Sequence, residues 1–297
     1  MAILGTLYQL QAQYAQAEAV YWEALALYES MDDRRGQAQM WSNLGHILSI
    51  RDGNTAAERY YRRSLALHRA NNDRTGIGTA LIGLAGALRD MERFAEAEPL
   101  YIEAAQIGRE QKNQRLLDTA VGALGTMRML QECWDEAGEL IRQALESQRV
   151  RGDLHAQVES TYKLGLLANE QGEYGAVLGL VEPAWDIAQA QGYGRWLYAI
   201  ANLLGDSAEE MGDPGAFHYY ATAVLAAAKF DNPTRFEQGM ALLEDRVGQI
   251  VAAGRLDDAR EFIVYLSDFC RTHPWAEWAE TVIRRLNTQA ERLAIVK

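Results

Sequence analysis

Apolar and small residues in this chain fall at helical spacing, and the whole pattern repeats every forty residues. Leu-Gly pairs stand at Leu4-Gly5, Leu44-Gly45, Leu124-Gly125, Leu164-Gly165 and Leu204-Gly205, and Leu84-Ala85 fills the remaining slot. Twelve residues after each of these small residues comes a second register, Ala17, Ala57, Ala97, Ala137, Val177 and Phe217. Four residues further on stand Tyr21, Tyr61, Tyr101, Ile141, Val181 and Ala221, and three beyond those come Ala24, Ser64, Ala104, Ala144, Ala184 and Val224. Large apolar residues alternating with small ones at these intervals predict two antiparallel helices per repeat. Gly or Ala lets two backbones approach, and the facing Tyr or aliphatic side chain fills the space opposite. A bulky residue at Gly45 or Ala57 is therefore expected to overpack, at about 1–3 kcal/mol. A hairpin this small cannot bury its own apolar face, so repeats of this period stack on their neighbours.

The punctuation agrees with the helices. Between repeats lie Met31-Asp32-Asp33, Asn71-Asn72-Asp73, Lys112-Asn113, Arg151-Gly152-Asp153, Gln191-Gly192-Tyr193-Gly194 and Asp231-Asn232-Pro233, each a helix stop followed by a capping residue. Within repeats, Asp52-Gly53, Gly172 and Gly212-Asp213-Pro214 separate the two helices. The Arg-Gly-Asp triplet at 151–153 falls in one of these regular turns and reads as turn chemistry, not as an adhesion motif.

Trp41, Leu44, Gly45, Leu48, Ala57, Tyr61 and Ser64 follow in order the pattern of the tetratricopeptide repeat, with Ser in place of the last Ala. The chain resembles that family over about 270 of its 297 residues. The usual repeat has thirty-four residues, and the longer repeat is similar to the arrays of kinesin light chains, animal spindle-orientation adaptors, and bacterial signal-transduction ATPases and transcriptional regulators. The resemblance implies an all-α fold, a right-handed α-solenoid of about seven hairpins. The repeats begin near residues 1, 34, 74, 114, 154, 194 and 234, giving an array over 1–273. Gly254, Ala259, Ile263 and Leu266 keep the pattern two residues late, after an insertion near Pro233. Residues 274–297, with Trp275, Trp278, Val282, Ile283, Leu286 and Leu293 among charged residues, read as a C-terminal capping helix. Leu4 has three residues ahead of it where other first helices have about ten. Either excision from a longer protein or a dimer covering that end explains the short first helix, with excision favoured.

Composition narrows the function classes. There is no run of eighteen apolar residues and no basic segment leading into an apolar core, so neither a membrane span nor a secretory signal is read here. Cys133 and Cys270 fall in distant repeats, too far apart for a disulfide, and read as packing residues of a cytoplasmic protein. The net charge is −12, unevenly spread: residues 152–245 hold four Lys/Arg against fourteen Asp/Glu, whereas 51–93 hold eight Arg against five acids. That polarity favours a basic partner at the later repeats and argues against direct nucleic-acid binding, which needs a continuous basic track. Arg62-Arg63 reads as a solvated helix face and not as a phosphate site.

No signature of catalysis emerges. The chain has no phosphate loop, nucleophile elbow or paired-His zinc helix. Gly76-Ile77-Gly78 reads as a loose helix start, and His46, His68, His155, His218 and His273 are scattered over separate repeats, so no metal or other cofactor is expected. His155 and Glu159 are spaced to pair on one helix surface. Asp206, Glu209, Glu210 and Asp213 cluster, but an open helix face does not tune an acid-base pair. In the resembled family the first helices line the concave face, which places Asn43, His46, Arg89, Met129, Tyr162, Lys163, Asn169, Asn202, Asp206 and Glu209 on a docking stripe, together with Ser42, Ile82 and Thr126. Family members hold peptide backbone with an Asn just before Leu-Gly. Only Asn43 matches, with Gly83, Ala123, Lys163 and Leu203 in the later repeats. The function expected is a non-catalytic scaffold binding a peptide or protein segment. The alternative is a sensing segment of a larger bacterial signalling ATPase or transcriptional regulator, with an upstream effector domain.

Overall fold

The computed structural model describes residues 1–10, 13–51 and 53–213, and scattered residues from there to Thr288. Eleven helices are defined among the described residues, and no strand. They are α1 (Ala2–Leu10), α2 (Tyr14–Ser30), α3 (Arg34–Arg51), α4 (Asn54–Ala70), α5 (Arg74–Asp90), α6 (Phe94–Glu110), α7 (Gln114–Leu130), α8 (Trp134–Arg151), α9 (Leu154–Glu170), α10 (Tyr174–Gln191) and α11 (Gly194–Glu210). Odd-numbered helices are the first helices of the repeats and even-numbered ones the second. The fold is all-α, a solenoid of helix hairpins, and it divides into two compact units, Met1–Ser160 and Thr161–Lys297.

Helix boundaries follow a twenty-residue beat. Asp32, Asn72, Glu92, Lys112 and Glu132 adopt positive φ, as do Gly152, Gly172, Gly192 and Gly212 at the same spacing. Each ends a helix in the left-handed conformation that frees the chain to reverse. The next first helix is then capped from its own turn. Asp33 Oδ1 accepts the Gly36 N–H at 3.0 Å, Asp73 that of Gly76 at 3.0 Å, Asn113 that of Leu116 at 3.1 Å and Asp153 that of Ala156 at 3.3 Å. The second carboxylate oxygen ties repeats together, because Arg35 reaches Asp73 at 3.3 Å and Arg115 reaches Asp153 at 3.0 Å. The Arg-Gly-Asp triplet is thus a turn, in which Gly152 reverses the chain and Asp153 caps α9.

In the first compact unit, α1 to α8 pack each on the next, and α3, α5 and α7 also pack side by side. Its core holds the registers read from the sequence: Ala17, Tyr21, Ala24, Leu44, Ala57, Tyr61, Ser64, Leu84, Ala97, Tyr101, Ala104, Ala137, Ile141 and Ala144 are all buried. A Cβ on Gly45 would sit 3.1 Å from the Tyr61 ring, and one on Gly83 would lie under 3.0 Å from the same ring. One tyrosine therefore wedges between the first helices of two successive repeats. Trp22, Trp41 and Tyr60 meet edge to face or tilted, with centroids 5.2–6.1 Å apart, and the Arg63 guanidinium lies 4.1 Å over Trp41. Most of the other arginines of the basic stretch are spent on neighbours. Arg51 pairs with Glu18, Arg62 and Arg93 with Glu58, Arg69 with Glu103, and Arg74 with Glu110.

In the second compact unit, Val177, Val181 and Ala184 of α10 are buried, and a Cβ on Gly165 would strike Val181 and Leu203. The following second helix departs from the register read in the sequence. Ala216, Tyr220 and Ala223 are buried, each one position before the expected Phe217, Ala221 and Val224, which lie outside the described residues, and a Cβ on Gly205 would strike the Tyr220 ring. A one-residue shortening of the Gly212 turn restores the small, aromatic, small order. Gly254 has positive φ, and Ala259 and Ile263 are buried as the late register required. Leu266, Cys270 and the capping helix read over 274–297 lie outside the described residues, apart from isolated positions. Cys133 is corrected: it is an exposed free thiol at the start of α8, with Sγ 3.6 Å from the Gln131 carbonyl, and not a packing residue.

Candidate functional site

Each first helix packs on three sides and leaves one stripe open. In α5 the buried residues Ile77, Gly78, Ala80, Leu81, Leu84, Ala85, Ala87 and Leu88 cover most of the circumference, and Thr75, Thr79, Gly86 and Asp90 lie opposite. The same positions are Arg35, Gln39, His46 and Ile50 on α3, and Arg115, Thr119, Thr126 and Leu130 on α7. Since α3, α5 and α7 lie side by side, these stripes form one face. Its centre is uncharged apart from His46. The hydroxyls of Thr79, Thr119 and Thr126 bond to carbonyls four residues back in their own helices, leaving oxygen lone pairs outward.

This face matches the predicted stripe only in part. His46 lies at its centre, exposed and 3.0 Å from Gln9 Nε2, so two first helices are linked across it. Asn43 is half-buried at the flank, in the register where Gly83 meets Tyr61. Arg89 and Met129 are also half-buried at the other flank, and Arg89 is held by Asp90 at 2.6 Å. The centre positions Gln39, Thr79 and Thr119 were missed. Stepping back seven residues, two helical turns, from His46, Gly86 and Thr126 finds them.

In the second compact unit the predicted residues are engaged among themselves. The Tyr162 and Trp196 rings meet at 5.6 Å, and burial raises the Tyr162 pKa, with the Asp206 charge adding to the effect. Lys163 is half-buried in the register of Asn43. Asn169 Oδ1 accepts from Ser207 Oγ at 2.8 Å. Asp206 Oδ1 and Glu209 Oε2 both take the Tyr220 hydroxyl, at 2.7 and 3.0 Å. The carboxylate cluster therefore has a structural duty. Asn202 differs from the others: its Oδ1 is buried without a hydrogen-bond partner.

Among the described residues no group of three or more His, Cys, Asp or Glu is placed to hold a metal ion, and no described helix is long and apolar enough to cross a membrane. Asp118 is the one buried carboxylate outside the turns that the described residues show, and it is matched by Arg151 at 2.5 Å and Gln114 at 2.9 Å.

Stacked antiparallel hairpins, pinned by a tyrosine or an aliphatic side chain under a glycine or alanine, define a helical-repeat protein in which α3, α5 and α7 share an open face. Models of the tetratricopeptide repeat match residues 1–31 and 36–110 of the chain. No curated protein matches the sequence. Among solved structures it is similar to the apo form of RapI, at 14% identity over 96% of this chain and 97% of that one, with a TM-score of 0.59. It is also similar to a Rap protein complexed with competence and sporulation factor, at 15% identity over 99% and 74% with a TM-score of 0.66. A third similar structure is the Rap conjugation gene regulator of plasmid pLS20 in complex with a Phr peptide, at 14% identity over 99% and 73% with a TM-score of 0.55. At these identities the likeness is one of fold.

Proposed function

We propose that this chain is a non-catalytic scaffold that binds a peptide or protein segment along the open stripes of its first helices. The observation that carries the reading is the recurrence of one uncovered stripe, at forty-residue intervals, on helices whose other sides are packed. A ladder of stripes at fixed spacing suits an extended chain or a helix. Two of the fold's neighbours carry peptide factors on the same architecture, which supports a peptide as the occupant here. The unpartnered Asn202 Oδ1 offers a further acceptor for a main-chain N–H.

The acidic balance of residues 152–245 favours a partner with basic residues. Because Asp206 and Glu209 also hold Tyr220, exposed Glu170 and Glu210 are the cleaner probes of that preference. An exposed free Cys133 suits a reducing compartment such as the cytoplasm. A second reading, favoured by the likeness to a conjugation gene regulator, is that the array senses a ligand on behalf of an upstream effector domain.

The test uses synthetic peptides selected from a random twelve-residue library on the 297-residue chain. Replacing Gln39, Thr79 and Thr119 together by Arg should abolish binding while leaving the melting temperature within a degree or two. Affinity unchanged by the triple replacement would remove the open face as the site. Glu170→Lys with Glu210→Lys should weaken basic peptides and not neutral ones.

A further inference from the structure

The two edges of the open face differ in chemistry. Along the edge made by the first turns of α3, α5 and α7 stand Arg35, Thr75 and Arg115, and along the edge made by their last turns stand Ile50, Asp90 and Leu130. The latter three are all exposed, Ile50 at 47% and Leu130 at 56%. Two large aliphatic side chains therefore stand in water at one repeat position, with a carboxylate on the helix between them. Packing does not call for them there. Ile47, Ala87 and Met127, three residues earlier, are buried and make the core contacts of these last turns.

The carboxylate keeps a free oxygen. Arg89 is folded inward, its side chain 21% exposed, and places Nε and Nη2 at 2.7 and 2.6 Å from Asp90 Oδ1. Both contacts fall on that oxygen, and the Asp90 side chain, 41% exposed, has Oδ2 left to accept a further donor. The C-terminal ends of three helices lie along the same edge and add partial negative charge. The edge thus reads apolar, acidic, apolar.

Spacing narrows what could lie on it. Helices packed side by side are about 8–10 Å apart, and α3, α5 and α7 are so packed, so the three side chains follow one another at about that step. A polyproline II strand advances about 3.1 Å per residue with three residues per turn, and returns a side chain to the same side every 9 Å or so. A β-strand covers about 10 Å in three residues but turns the third side chain away. An amphipathic helix needs an apolar stripe wider than one residue. The next row inward, His46, Gly86 and Thr126, does not supply it.

We propose that the edge formed by Ile50, Asp90 and Leu130 binds a segment in the polyproline II conformation that carries an apolar, a basic and an apolar residue at intervals of three. The proposal rests on the scaffold reading above and names the chemistry of its partner. Each of the three side chains meets one repeat, so the repeat spacing of the array is what measures the spacing of the motif.

The probe is a fluorescein-labelled nonapeptide, Pro-Leu-Pro-Pro-Arg-Pro-Pro-Leu-Pro, titrated by anisotropy against the 297-residue chain beside peptides selected from the random library. Moving each Leu one residue further from the Arg, or replacing the Arg by Glu, should weaken binding about tenfold. Ile50→Gln and Leu130→Gln should each weaken it about fivefold, the worth of one half-covered aliphatic side chain, with the thermal midpoint held. Asp90→Asn should erase the preference for Arg over Gln at the centre of the probe. Ile102→Gln, equally exposed but on the second helix α6, should change nothing. If the probe fails to bind, or binds as well with the wider spacing, while library peptides bind and are lost on the Gln39, Thr79 and Thr119 replacement, the edge is overturned and the scaffold stands. Selected peptides whose apolar residues recur at seven instead of six would overturn it in favour of a helix. Failure of the probe and of every library peptide would overturn both readings.

Discussion

Two glycines on adjacent helices should respond to the same substitution with opposite signs. A Cβ on Gly108, in the last turn of α6, would lie 2.7 Å from the Leu117 backbone nitrogen and 2.9 Å from its Cα. Those atoms belong to α7, so no side chain can swing aside and the two helices must part by about 0.7 Å to restore van der Waals contact. Such overpacking costs about 1–3 kcal/mol, offset by about 0.8–1 kcal/mol because Ala is the better helix former. Gly108→Ala should therefore destabilise by about 0.5–2 kcal/mol. On Gly122 the nearest neighbour of a Cβ is Ala144 Cβ at 3.8 Å, an ordinary contact. Gly122→Ala should keep the whole propensity gain and stabilise by about 0.8–1 kcal/mol.

The contrast of about 1.5–3 kcal/mol is read in urea unfolding followed by circular dichroism. Hydrogen exchange of peptides from α6 and α7 localises it, which matters in an array whose repeats need not unfold together. The thermal midpoints of the two variants should differ by about 3–12 °C, with Gly122→Ala the higher. A Gly108→Ala protein as stable as wild type would show that the α6–α7 approach is slack. A destabilised Gly122→Ala would show that this helix interior needs its glycine for some other reason, and either result refutes the reasoning.

Three further outcomes follow from the turns and buried charges. Lys112 and Glu132 hold φ of 51° and 59° where equivalent turns use glycine; Lys112→Gly and Glu132→Gly should each stabilise by about 0.5–1 kcal/mol, seen as a raised urea midpoint. His68 is buried beside Asp73, and burial lowers its pKa below 6.5 against the pull of the Asp73 charge. The unfolded chain then binds the extra proton first, so this stability is whole above about pH 6.5 and is lost as pH falls towards the depressed folded value. His68→Gln, the residue of the next-but-one repeat, should flatten the urea midpoint between pH 7 and pH 5; an unchanged slope would clear His68 of the effect. Arg151→Met leaves the Asp118 carboxylate, 5% exposed, with Gln114 alone and should destabilise by about 2 kcal/mol or more. Adding Asp118→Val, the residue of the following repeat, should recover most of the loss in a double-mutant cycle.

The helix pairs and their small-large-small contacts were legible because packing repeats with the chain, and forty-residue spacing exposes it in Tyr21, Tyr61 and Tyr101. Two turns were not legible. Met91-Glu92-Arg93 and Gln131-Glu132-Cys133 reverse the chain with a glutamate at positive φ, and a glutamate carries no turn signal of its own; only the twenty-residue beat points to it. The Tyr220 shift was hidden for the opposite reason, since a fixed forty-residue ruler steps over a one-residue deletion. The open face was half legible. Nearness to Leu-Gly in sequence does not make a residue exposed, because position on a helix is set by angle, and Gln39, Thr79 and Thr119 lie on the face itself two turns before His46, Gly86 and Thr126.

The same angular argument separates what holds the array from what it displays. The residues of Gly45, Ala57, Tyr61 and Ser64 and their equivalents meet each other on every repeat and admit little change. The position of Thr6, His46, Gly86, Thr126, Leu166 and Asp206 lies at the rim of that contact: Thr6 and Asp206 meet the hydroxyl of the packing tyrosine, and a Cβ on Gly86 would lie 3.8 Å from that of Tyr101. It therefore accepts a hydroxyl, an imidazole, no side chain, an aliphatic group or a carboxylate without disturbing the helix pair. Variation at that position changes the chemistry presented on the open face while the hairpin beneath keeps its geometry.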